Sequence, residues 1–76
     1  QMLELIKTYT KSCIMAEQRI KYLTVKLNEL KRNGGEETEE YTDLQRRIRL
    51  LYIERTEMLE VIQILESYQK RRNANA

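Results

Sequence analysis

The chain has no proline, no histidine and one cysteine, and its only two glycines are adjacent. Each shortage excludes something. Lone Cys13 rules out an internal disulfide. With no histidine, and one thiol among scattered carboxylates, there is no zinc or iron ligand set. A chain of 76 residues buries only ~60% of the surface it exposes when unfolded. Small folds that lack a disulfide or a metal lean on a partner chain instead. No apolar run approaches the ~20 residues of a membrane span. No signal-peptide pattern opens the chain, and an unpaired cysteine suits a reducing compartment, so the reading is cytoplasmic.

Catalytic chemistry is equally short of parts. There is no imidazole to act as a base near neutral pH. Glu54, Glu57 and Glu60 are spaced three apart, but a di-iron bundle needs a Glu-x-x-His pair, and these acids read as a solvated face. Gly34 and Gly35 lack the spacing and following lysine of a phosphate loop and read as a turn. The sequence predicts a non-enzyme with no cofactor, no metal and no small-molecule substrate.

What is present is helical. Charged residues make up 34% of the chain and hydrophobic ones 41%, a composition of long amphipathic helices. With Ile6 at position a of a heptad, the first segment places Ile6, Cys13, Ile20 and Leu27 at a, and Met2, Tyr9, Ala16, Leu23 and Leu30 at d. No charge falls on that stripe. Lys31-Arg32-Asn33-Gly34-Gly35 is a helix stop, with bases against the negative helix end and residues tolerant of a left-handed backbone after them. Glu36-Glu37-Thr38-Glu39-Glu40 is a helix start, with Gly35 or Thr38 as the N-cap. The second stripe has Tyr41, Ile48, Arg55, Ile62 and Gln69 at a, and Leu44, Leu51, Met58 and Leu65 at d.

These patterns predict one all-α unit, an antiparallel two-helix hairpin that pairs into a four-helix-bundle dimer. Helix 1 is expected over about 2–32, a Gly/Glu-rich turn over 33–37, helix 2 over about 38–72 and a frayed tail over 73–76. Antiparallel pairing makes partner numbers sum to 71, which sets Leu23 against Ile48 and Ile20 against Leu51. The same register puts the long Arg55 opposite the small Ala16, with Glu17 as the acid within its reach. Among flanking positions it pairs Arg19 with Glu54 and Leu5 with Tyr68, and it sets Lys26 against Arg47. The rival is one continuous helix of ~110 Å in a parallel dimer. It would place Gly34 and Glu37 at core positions and Arg55 against its own copy, and each interior glycine costs ~1 kcal/mol, so the hairpin is preferred.

Seven apolar residues remain once the seam is filled: Leu5, Met15, Tyr22, Leu50, Val61, Ile64 and Tyr68. All fall at g or c positions, which line one side of an antiparallel hairpin. The opposite flank carries fewer, namely Leu3, Ile14, Tyr52 and Leu59, separated by Lys and Thr. A contiguous apolar face of that size marks an interaction site. The expected role is therefore a protein–protein interaction module that forms a homodimer or clasps a partner helix.

The alternative class is a nucleic-acid accessory. The net charge of +2 is uneven, with basic segments over 1–34 and 46–76 flanking an acidic 35–45. Lys21, Lys26, Arg46, Arg47 and Arg49 gather in the loop-side half as candidate phosphate contacts, and Lys70-Arg71-Arg72 forms a second cluster. In architecture, though in no shared motif, the chain is similar to the ROP family of dimeric helical hairpins, and that resemblance implies binding of paired RNA loops. Against it, the aromatic residues sit at seam or apolar positions rather than among the bases, and the acidic turn lies beside the first cluster.

Overall fold

The structure is a computed structural model that describes residues 1–74. Two helices, α1 (Met2–Arg32) and α2 (Glu39–Ala74), pack against one another as an antiparallel hairpin. The molecule measures 60 × 15 × 14 Å, and its radius of gyration of 17.4 Å far exceeds the ~11 Å of a compact domain of this length. The shape of a single helix pair follows from one hydrophobic stripe per helix. Among the described residues there is no third layer for either stripe to meet.

The turn is built by identifiable groups. Gly34 sits at φ 75°, a backbone that disfavours any residue with a Cβ. Its N–H donates to the Lys31 carbonyl at 3.0 Å, and the Gly35 N–H donates to the Leu30 carbonyl at 2.8 Å. This is the Schellman closure of α1, and it satisfies carbonyls that the helix end would otherwise orphan. Gly35 is glycine for a different reason. It is buried, and an added Cβ would lie 2.5 Å from Leu30 Cδ1 and 3.1 Å from the Leu30 carbonyl oxygen.

Of the two candidate caps for α2, the side-chain cap is Thr38. Its hydroxyl accepts the Tyr41 N–H at 3.2 Å and donates to the Gly35 carbonyl at 2.6 Å, which ties the cap back to the turn. Glu39 and Glu40 then occupy the first turn, where the helix dipole favours acids. α2 runs to Ala74, two residues past the expected end at 72. Arg71 and Arg72 in that last turn complement the negative helix end. The rest of the expected tail, 75–76, lies outside the described residues.

The buried core is Cys13, Ala16, Ile20, Leu23, Leu44 and Ile62, all at a or d positions. The remaining seam residues, Arg55 and Gln69 included, are half-buried. The cross-helix register agrees with the expected ladder. Arg55 Nη2 reaches Glu17 Oε2 at 3.1 Å beside Ala16, and Tyr9 shares a surface groove with Met58 and Val61. Four of the six core residues belong to α1, so α2 retains more of its stripe in partial contact with solvent.

Candidate interaction face

Heptad geometry sorts the surface into two flanks. On the g/c flank, Leu5, Met15, Tyr22, Leu50, Ile64 and Tyr68 are all exposed, and Val61 is half-buried at the edge of the seam. The register places these residues in layers across the two helices. In the half away from the turn, Leu5 is level with Tyr68, Thr8 with Ile64, Ser12 with Val61 and Met15 with Glu57. Nearer the turn, Arg19 is level with Glu54, Tyr22 with Leu50, Lys26 with Arg47 and Glu29 with Asp43. The first four layers contain one charged residue and the last four contain six. One half of this flank is therefore an apolar surface and the other a mixed-charge one.

The opposite flank is more apolar than the sequence suggested. Leu3, Ile14 and Tyr52 are exposed and Leu59 is half-buried, as expected, but Val25 and Ile53 are exposed as well. Both occupy outward-facing f positions. The signal was available, since an apolar residue at f has no seam to enter. An open groove of about 460 Å³ lies here, lined by Ile20, Val25 and Tyr52 together with Lys21 and the Glu17–Arg55 ion pair. Charges interrupt this flank throughout its length, whereas the outer half of the g/c flank is nearly free of them.

The five candidate phosphate contacts do not form one patch. Arg46 and Arg47 both turn onto Asp43, at 2.5 Å and 2.9 Å. Hydrogen bonding from Arg46, reinforced by the Arg47 charge, holds the Asp43 carboxyl below its ordinary value of 3.8. Lys26 lies over the Tyr22 ring, 5.3 Å from its centroid. Lys21 and Arg49 flank Tyr52 on the other side of the hairpin.

Two expectations are corrected. The Arg19–Glu54 pair does not form among the described residues; Arg19 lies instead over Tyr22, 5.3 Å from the centroid. An exposed pair across two helices gains too little to hold two long side chains, and an aromatic three residues away on the same helix is already in reach. Aromatics also do sit among bases: Tyr22 lies between Arg19 and Lys26, and Tyr68 carries Arg71 at 4.6 Å. The cation–aromatic spacings of three and four were legible in the sequence.

Among the described residues no group of three or more His, Cys, Asp or Glu side chains is placed to hold a metal ion, and no helix is long and apolar enough to cross a membrane. Cys13 is buried in the seam between Ile6 and Ile20 positions and packs as a small hydrophobe. These features define an all-α helical hairpin with an amphipathic outer surface. No family model, curated protein or solved structure matches the chain.

Proposed function

We propose that this hairpin is a non-catalytic protein–protein interaction module that self-associates, two copies forming a four-helix bundle through the g/c flank. One observation carries the reading. The accessible surface is 6229 Å², whereas a folded monomer of 9.2 kDa is expected to expose about 4,900 Å². The excess is larger than the ~800 Å² that each partner buries in a standard interface. A second hairpin laid on the apolar flank covers much of that excess, and a two-fold dimer needs only one such face because the face meets its own copy. A reducing, cytoplasmic setting fits a chain whose only thiol is buried and unpaired.

The test is a double substitution, Val61→Glu with Ile64→Glu, which puts charge on the flank and replaces no a or d residue. The wild type is expected to melt at higher temperature as concentration rises, as mass action requires of a dimer. The variant is expected to lose that dependence and to melt lower at every concentration. A wild-type melting temperature that does not move with concentration contradicts the proposal.

A second reading, a nucleic-acid accessory, is favoured by the Arg19–Tyr22–Lys26 arrangement, in which an aromatic face sits between two cations. On the interaction-module reading, duplex RNA or DNA binds no tighter than ~10⁻⁴–10⁻⁶ M at physiological salt. Nanomolar binding that is lost on charge reversal of Arg46, Arg47 and Arg49 would favour the accessory role.

A further inference from the structure

We infer that the second copy lies with its turn at the same end of the bundle, the two-fold axis running along the length of the hairpins. This rests on the self-association proposed above and specifies the geometry of that same face.

Charge is unevenly distributed along the g/c flank, and this favours one orientation. With both turns at one end, every layer meets its own layer in the other copy, and α1 lies against α2 of the second hairpin. Leu5, Ile64, Val61 and Tyr68 then close on one another, and Tyr22 and Leu50 form a second apolar contact nearer the turn. The Arg19–Glu54 layer meets its copy with opposite charges facing across the interface. The Lys26–Arg47 and Glu29–Asp43 layers are the two like-charge matches, base on base and acid on acid in neighbouring layers. Arg47 is already paired with Asp43 at 2.9 Å, so little uncompensated charge is brought together there.

The head-to-tail arrangement keeps an apolar match only where the Ser12–Val61 layer falls on Tyr22 and Leu50. It lays the Leu5–Tyr68 layer onto Glu29 and Asp43, and the Thr8–Ile64 layer onto Lys26 and Arg47. Ile64 and Tyr68, at 56% and 51% exposure, would then strip water from charges without supplying them partners, which is costly. A head-to-tail pair that slides until only the outer halves overlap avoids that clash. It gives up the Tyr22–Leu50 contact and leaves most of the surplus surface in water.

The occupant is a second copy because the surface in excess of a folded monomer is more than one standard interface needs, and a two-fold pair requires only this one self-complementary face. The opposite flank is a poorer seat for it. Its outer half carries Lys7, Glu66 and Lys70 among Leu3, Ile14 and Leu59.

The experiment places a nitroxide on the turn through Glu36→Cys in a Cys13→Ala background, and reads the spin–spin distance at a concentration where the protein is dimeric. The same label in the unaltered Cys13 background, where the seam thiol is buried, guards against a seam weakened by the alanine. Turns at one end give a distance of about 20–30 Å, two or three helix spacings. Adding Ile64→Glu is expected to abolish it. A dimer whose label separation is near the 60 Å length of the molecule, or longer, overturns the orientation and leaves self-association standing. A short distance that survives Ile64→Glu overturns the choice of flank. A monomeric protein with no dipolar coupling overturns both this inference and the proposal beneath it.

Discussion

Arg55 is the one charged residue on either seam, and Ala16 explains how it is accommodated. The small side chain leaves a gap that the aliphatic stem of Arg55 fills, while the head leans out to Glu17 at 3.1 Å with a third of the side chain still in water. A partly solvated pair of this kind contributes little net stability, because desolvation offsets most of the Coulomb gain. Arg55→Leu is therefore expected to be neutral or stabilising in a thermal melt. Ala16→Leu adds volume to a layer that Arg55 already fills and is expected to cost ~1–3 kcal/mol. A strongly destabilised Arg55→Leu variant would contradict this account of the layer and assign Arg55 to register or partner choice.

At the scale of the elements, the helices are ended by particular groups. Gly34→Ala forces a Cβ into a left-handed backbone and is expected to cost about 1–2 kcal/mol, although nothing lies within 4 Å of the position. Thr38→Ala removes the acceptor for the Tyr41 N–H and is expected to cost ~1 kcal/mol. Denaturant melts of the two variants measure both losses. A Gly34→Ala variant as stable as wild type would show that the turn has another backbone available. The same contrast explains what the sequence revealed. The seam was legible to the residue, since an apolar stripe has one low-energy place to go, and the turn was legible because Gly34 and Thr38 each solve a defined backbone problem. The flank was only partly legible. Arg19 had Glu54 and Tyr22 within reach at similar energy, and the heptad pattern does not rank them. Lys21, Lys26, Arg46, Arg47 and Arg49 all fall in the turn-side half of the hairpin, yet 3.6 residues per turn spreads them over both flanks.

The whole molecule is a helix pair with too little interior for its length. No side chain among the described residues is fully buried, and the six buried ones include an alanine and a cysteine. Such a seam leaves little net stability after conformational entropy is subtracted. The imbalance between the helices indicates where burial is still available. α1 supplies four of the six core residues, while Ile48, Leu51, Met58 and Leu65 on α2 are only half-buried. Together with Val61, Ile64 and Tyr68, this makes α2 the helix expected to lie more centrally in a bundle. The most direct test is the mass of the unmodified protein in solution at ~100 µM, where a dimer of ordinary affinity is saturated. Sedimentation equilibrium is expected to return twice the chain mass of 9.2 kDa, with a scattering radius of gyration above the 17.4 Å of one hairpin. A particle of single-chain mass at that concentration would contradict self-association and leave a partner of different sequence as the occupant of the face.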